Sequence, residues 1–144
     1  MVGLITLPGL SFYQGSKFPL EGLSEALGKE VKRFGIHVTT VEPGSFRTDW
    51  AGRSMVRAPQ VIDDYEALMK PIRERRLQMS GHQIGDSAKL GKAVLKLVGM
   101  DDPPVHLLLG SDALSQLEEK LAAQRAELDA WKSLTLSTDF AAFD

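Results

Sequence analysis

Hydrophobic positions along the chain switch between a helical and a strand-like spacing. An apolar start, Met1 to Ile5, is cut short by Pro8 and Gly9, as though the tail of a strand or loop ended there. Ser11 and Gln14 then have the spacing of a capping box, and Leu20, Leu23, Leu27, Val31 and Phe34 recur at three- and four-residue steps. This predicts an amphipathic helix of about six turns. Gly35 suits a left-handed cap at its end, with Lys32 and Arg33 placed to favour the helix carboxyl terminus. Pro19 falls inside the helix, where it removes a backbone bond and is expected to kink the chain just after Lys17. The β-branched run 36–41 then reads as a strand buried on both faces and halted by Pro43 and Gly44.

Residues 45–85 are less periodic and read as an excursion over the main layer, with a helix from about Asp63 to Met79. A second passage restores the rhythm: Asp86 or Ser87 caps a helix carrying Leu90, Ala93, Val94, Leu97 and Val98, and Asp102-Pro103-Pro104 turns into a strand from Val105 to Leu109. A last helix, from about Asp112 to Lys132, lines up Leu114, Leu117, Leu121, Leu128 and Trp131, with Gln124 interrupting a heptad reading. The tail with Phe140 and Phe143 has no usable period. Helices alternating with buried strands imply an α/β chain built on a parallel sheet. We read residues 1–144 as one domain, divided into a helix, strand and turn (11–44), a variable loop region (45–85) and a closing helix-strand-helix unit (86–132).

Composition narrows the function classes. With 144 residues, 43% of them hydrophobic, the chain has the apolar content for one core. Its net charge of -2 offers no field for nucleic acid or an anionic membrane. Absence of cysteine rules out disulfides and thiolate metal sites and fits a reducing, cytoplasmic location. No basic leader or spanning segment is expected. His37, His82 and His106 lack ligand spacing, so no metal set is expected, and His37 and His106 read as packing residues beside strands. Arg73, Arg75 and Arg76 suit a solvated helix face better than a clamp on an acidic substrate. Met55, Met69 and Met79 fit either an adaptable pocket or a loosely packed lid. The stripe from Leu114 to Trp131 is expected to be buried on the sheet or at a subunit interface, the rival reading being a helical interaction module.

Candidate chemistry lies at the start of the first helix. Tyr13 and Lys17, four residues apart, share a face and can meet one ligand. A phenol ordinarily titrates near ~10, and a neighbouring ammonium favours its ionised form, so the pair suits proton exchange with a substrate oxygen. The spacing alone also fits a packed aromatic beside a solvated lysine. Context decides between the two readings: YQGSK opens the helix, Leu20 to Leu23 follows, and residues 30–38 lead through Gly35 into the strand ending Val41-Glu42-Pro43-Gly44, with Thr48 beyond.

On those residues the chain resembles the short-chain dehydrogenase/reductase family, closely from Gly3 to Thr48 and more loosely through 86–109 to Leu114. The resemblance implies a partial Rossmann-type, doubly wound parallel sheet and hydride transfer between NAD or NADP and a carbonyl or secondary alcohol. It makes Tyr13 the general acid/base and gives Lys17 a second role, binding the nicotinamide ribose. Pro43 and Gly44 would shape the turn beside the nicotinamide, and Thr48 would touch its carboxamide or the diphosphate. It further implies a homodimer or homotetramer acting on a small molecule. The family's Gly-rich phosphate turn has no counterpart here, and its catalytic serine would fall just before Met1. We therefore expect the carboxyl-terminal part of such a domain, with the dinucleotide-binding half absent and the chain inactive by itself.

Overall fold

The computed structural model describes residues 1–52 and 54–140; Phe143 lies outside the described residues. Helix α1 spans Ser11–Val31 and tightens into a 3₁₀ turn at Lys32–Phe34 before Gly35, whose φ of 71° makes the left-handed cap the sequence called for. Strand β1 is Thr40–Pro43, helix α2 is Glu66–Met79 after a turn at Asp63–Tyr65, and helix α3 is Ser87–Val98. Strand β2 is His106–Leu109 and helix α4 is Ser111–Leu136, four residues longer than expected at its carboxyl end. No helix among the described residues is long and apolar enough to cross a membrane.

Two expectations about α1 change. No capping box forms: Leu10 is the N-cap without a side-chain bond, and the buried Gln14 side chain instead donates to the Ile5 carbonyl at 3.4 Å. Pro19 lies within the helix, which runs on through it to Val31. The apolar stripe is not covered: Leu23 is 68% exposed, and Leu20, Leu27 and Phe34 are exposed with it. The reason is architectural, because the two strands of the sheet cover only a narrow strip and the buried apolar side chains among the described residues reduce to Ile5, Leu97 and Ala113. The same holds for α4, where Trp131 is 60% exposed beside exposed Leu121 and Leu128, so that stripe is not buried on its own sheet.

β1 and β2 pair in parallel, Thr40 opposite His106 through Pro43 opposite Leu109. The strand expected at 36–41 is therefore shifted toward the carboxyl end. Residues 36–39 lie before the ladder, and Thr39 is satisfied by its hydroxyl donating to the Pro104 carbonyl at 2.7 Å. Pro43 is the last residue of the strand, paired with Leu109. It has no N–H to give, and Gly44 resumes the pairing with N–H donation to Leu109 O at 2.8 Å. The pattern continues at a parallel bridge between Phe46 and Gly85. Asp86 is the cap of α3, accepting from the N–H groups of Ala88 and Lys89 at 2.9 and 3.4 Å.

Two side-chain devices close this frame. Asp112, in the first turn of α4, accepts from the Ser45 N–H at 2.7 Å and packs so tightly on Gly44 that a Cβ there would sit 2.1 Å from Asp112 Oδ1. At the other end, His106 corrects its reading as a simple packing residue. Its Nδ1 lies 2.9 Å from Glu42 Oε1 and 3.7 Å from Glu21 Oε2, while Nε2 lies 3.6 Å from Glu25 Oε1. Thr40 joins by donating its hydroxyl to Glu42 Oε1 at 2.8 Å. His106 thus connects α1, β1 and β2. His37 is exposed.

Replacing Gly44 with Ala forces the turn open against Asp112, an overpacking change expected to cost about 1–3 kcal/mol. Pairing it with Asp112→Ala should recover part of that loss, which a double-mutant cycle in urea reads directly. The second device is sensitive to pH. The hydrogen bond to Glu42 raises the His106 pKa above its ordinary value, burial opposes this, and Glu25 and Glu21 add to the rise. Stability from the charged ring is then complete below the unfolded-state value near ~6.5 and is lost as pH climbs through the raised folded value. Melting temperatures measured in chelator should decline over that window, and His106→Gln should flatten the decline.

Candidate active site

Helix α1 presents Tyr13 and Lys17 in its first two turns, where the four-residue step stacks them on one face. Lys17 Nζ lies over the Tyr13 ring, 5.7 Å from its centroid, within the range of a cation–π contact. The other partner of the ring is Trp50, with centroids 5.9 Å apart and the planes tilted by 43°. Tyr13 remains 38% exposed, so its side chain is braced without being sealed from a ligand. Ser16 adds a local bond, donating its hydroxyl to the Tyr13 carbonyl at 2.6 Å.

Trp50 was not singled out in the sequence, yet it joins the two halves of the candidate site. It sits in a short turn, Asp49–Ala51, beyond the end of β1, and its N–H donates to Thr48 Oγ1 at 3.4 Å. Thr48 is therefore an N-cap in this structure, the helix-start role that a Thr-Asp pair favours. Through Trp50, Thr48 is linked to the Tyr13 ring across 35 positions of sequence (48 − 13). The signal that could have found Trp50 is an exposed aromatic two residues beyond Thr48, in a segment with no periodicity to bury it.

Pro43 and Gly44 lie at the carboxyl end of β1, the edge at which open α/β sheets commonly bind ligands. Asp112 holds the turn from behind through Ser45, and Gly110, with φ of 105°, completes the close approach. Tyr13 and Lys17 are thus fixed by α1 and Trp50, and Pro43 and Gly44 by the ladder and Asp112.

The remaining candidates disperse. Arg73 donates to Gln60 Oε1 and Arg76 to the Pro8 carbonyl, both at 2.9 Å, so these two brace loops instead of forming a solvated face or a common anion clamp; Arg75 is exposed. Met69 packs on Gly9, where a Cβ would fall 2.3 Å from Met69 Cε, and Met79 is exposed. A groove bounded by Thr6, Pro8, Gln14 and Phe18 follows the other face of the first α1 turns and does not include Tyr13 or Lys17.

The sequence profile of the short chain dehydrogenase family matches residues 1–57. The chain is 38% identical to the oxidoreductase BOA17 of Botryotinia fuckeliana over 94% of its own length and 49% of that protein. It is 33% identical to 3-ketodihydrosphingosine reductase of Bacteroides thetaiotaomicron over 75% of its length and 40% of that enzyme. The crystal structure of a short-chain dehydrogenase from Streptomyces avermitilis superposes with a TM-score of 0.83 at 37% identity, covering 96% of this chain and 50% of that one. The chain thus spans about half the length of the relatives it matches. Its parallel strands, its α1 and its similarity to these proteins lead to one conclusion: the chain belongs to the short-chain dehydrogenase family, with a partial Rossmann-type α/β fold.

Proposed function

We propose that Tyr13 and Lys17 are the proton-transfer pair of an NAD- or NADP-dependent oxidoreductase that interconverts a carbonyl and a secondary alcohol, and that this chain carries that part of the enzyme. The observation that carries the reading is the Lys17 ammonium poised over a Tyr13 ring held by Trp50. In the reducing direction the Tyr13 hydroxyl gives its proton to the substrate oxygen, and the positive charge of Lys17 favours the negative charge developing on the phenol. In the oxidising direction the proton returns by the same path.

A nicotinamide cofactor, when bound, supplies or accepts the hydride. The donors present suit its nicotinamide-ribose end: Lys17 for the ribose hydroxyls, Thr48 for the carboxamide or diphosphate, and the Pro43–Gly44 turn for close backbone approach. No glycine-rich phosphate turn leading from a strand into a helix occurs among the described residues, so the pyrophosphate end calls for a further half of the domain. The exposed stripe of Leu20, Leu23 and Leu27 on α1 supports assembly of the intact enzyme as a homodimer or homotetramer. Lack of cysteine supports a cytoplasmic setting. A non-catalytic reading, with α4 as a helical interaction module, draws on the exposure of Leu121, Leu128 and Trp131.

The test is carbonyl-dependent oxidation of NADH and NADPH by an enzyme in which this chain is extended by a dinucleotide-binding half. Tyr13→Phe should lower kcat/KM by about 10²–10⁴, the usual worth of a positioned acid/base. Lys17→Met should be comparably damaging. Turnover within twofold of wild type in a folded Tyr13→Phe variant would remove the pair from the chemistry and favour the non-catalytic reading.

A further inference from the structure

Glu21 of α1, Glu42 of β1 and His106 of β2 each offer one ligand atom, and the three atoms lie within 4.8 Å of one another. Two edges of this triangle are 2.9 Å, His106 Nδ1 to Glu42 Oε1, and 3.7 Å, His106 Nδ1 to Glu21 Oε2. Donors bound to one first-row divalent ion at ~2.0–2.2 Å are separated by about 3–4 Å. Two edges therefore already suit a single ion, and the third needs a side-chain adjustment of less than about 1 Å on the same geometry. We propose that Glu21, Glu42 and His106 form a binding site for a divalent transition-metal cation such as Zn²⁺ or Mn²⁺.

Two further observations point to a cation. The Glu42 side chain is only 1% exposed, and its Oε2, like Glu21 Oε2, is buried with no hydrogen-bond partner among the described residues. Buried carboxylate oxygens left in that state are costly, and a cation held by the two carboxylates offsets that cost. The second observation is the outer ring of contacts. His106 directs Nε2 toward Glu25 Oε1 at 3.6 Å, and the Thr40 hydroxyl steadies Glu42 Oε1 at 2.8 Å. A carboxylate behind the free nitrogen of a ligand histidine is the arrangement that fixes ring orientation at metal sites.

Protons compete with a cation here. Ligation through His106 Nδ1 needs that nitrogen free of a proton, so ion binding and protonation exclude one another. The Met1 α-amino group also feels Glu42 and Glu21, but its burial lowers its pKa, so it surrenders its proton more readily than a free amino terminus. With one nitrogen and two oxygen donors and no thiolate, the set suits Zn²⁺ or Mn²⁺ better than the all-oxygen cations Ca²⁺ and Mg²⁺. Tyr13 and Lys17 take no part, so this site stands apart from the proposed reaction. A metal here would pin α1 to both strands.

The experiment titrates the chelator-treated full chain with ZnCl₂ and, separately, MnCl₂. Calorimetry reads stoichiometry and affinity, and the His106 ring signals are followed by NMR. We expect one saturable site for at least one of the two ions, shifted His106 signals and a raised melting temperature. Affinity should fall at least tenfold in Glu21→Gln and in His106→Gln, and about tenfold in Glu25→Gln, as for outer partners of metal ligands. His82→Gln should leave it unchanged. Glu42→Gln serves as the buried-ligand variant where circular dichroism shows it folded, and the half-buried Glu21→Gln decides where it is not. Absence of saturable binding by both ions overturns the proposal, as does binding that survives both Glu21→Gln and His106→Gln, or His106 signals that titrate with pH yet ignore the metal.

Discussion

Parallel pairing of β1 with β2 is the constraint on which the rest of this structure depends. Parallel neighbours cannot be joined by a hairpin, so the chain must leave the sheet after Pro43, pass through α2 and α3, and return at His106. The register then has two consequences. At one end Thr40 meets His106, bringing Glu42 and the α1 carboxylates around one imidazole. At the other, Gly44 and Gly110 come close enough for Asp112 to hold the turn after β1. Alignment of the candidate site follows from the ladder, with Trp50 connecting the turn region to Tyr13.

Local signals in the sequence were legible wherever one short segment contained both cause and effect. The three- and four-residue steps of α1, the Gly35 cap, the Asp86 cap and the Tyr13–Lys17 contact all fall in this class. What could not be read depended on partners far along the chain. The run 36–41 has strand propensity throughout, but only residues that find β2 enter the ladder, which shifts β1 to Thr40–Pro43. Gln14 has capping-box spacing but is drawn to Ile5, and His106 looks like a packing residue until the register sets it against Glu42. The uncovered stripes of α1 and α4 belong here too, because amphipathicity says which face seeks burial and not whether the chain provides a cover.

The small core gives the electrostatic contacts unusual weight. With few apolar side chains fully buried among the described residues, polar groups link α1 to the sheet through Glu21 and Glu25 around His106, and Gln14 ties the first turn of α1 to the Ile5 carbonyl. Such contacts respond to pH and to cations in a way that a hydrophobic interface does not. Placing Tyr13 and Lys17 on a helix secured in this manner ties the geometry of the pair to the ionic state of a cluster one further turn along α1.

On the proposed reading, these residues hold the proton-transfer part of a nicotinamide site without the part that grips the dinucleotide phosphates. Calorimetric titration of the 144-residue chain with NADH and with NADPH tests it most directly. No saturable heat is expected for either cofactor, because on the proposed reading Lys17, Thr48 and the Pro43–Gly44 turn engage only one end of the molecule. Clear one-to-one saturable binding of either cofactor would contradict it and place a complete cofactor site within this chain.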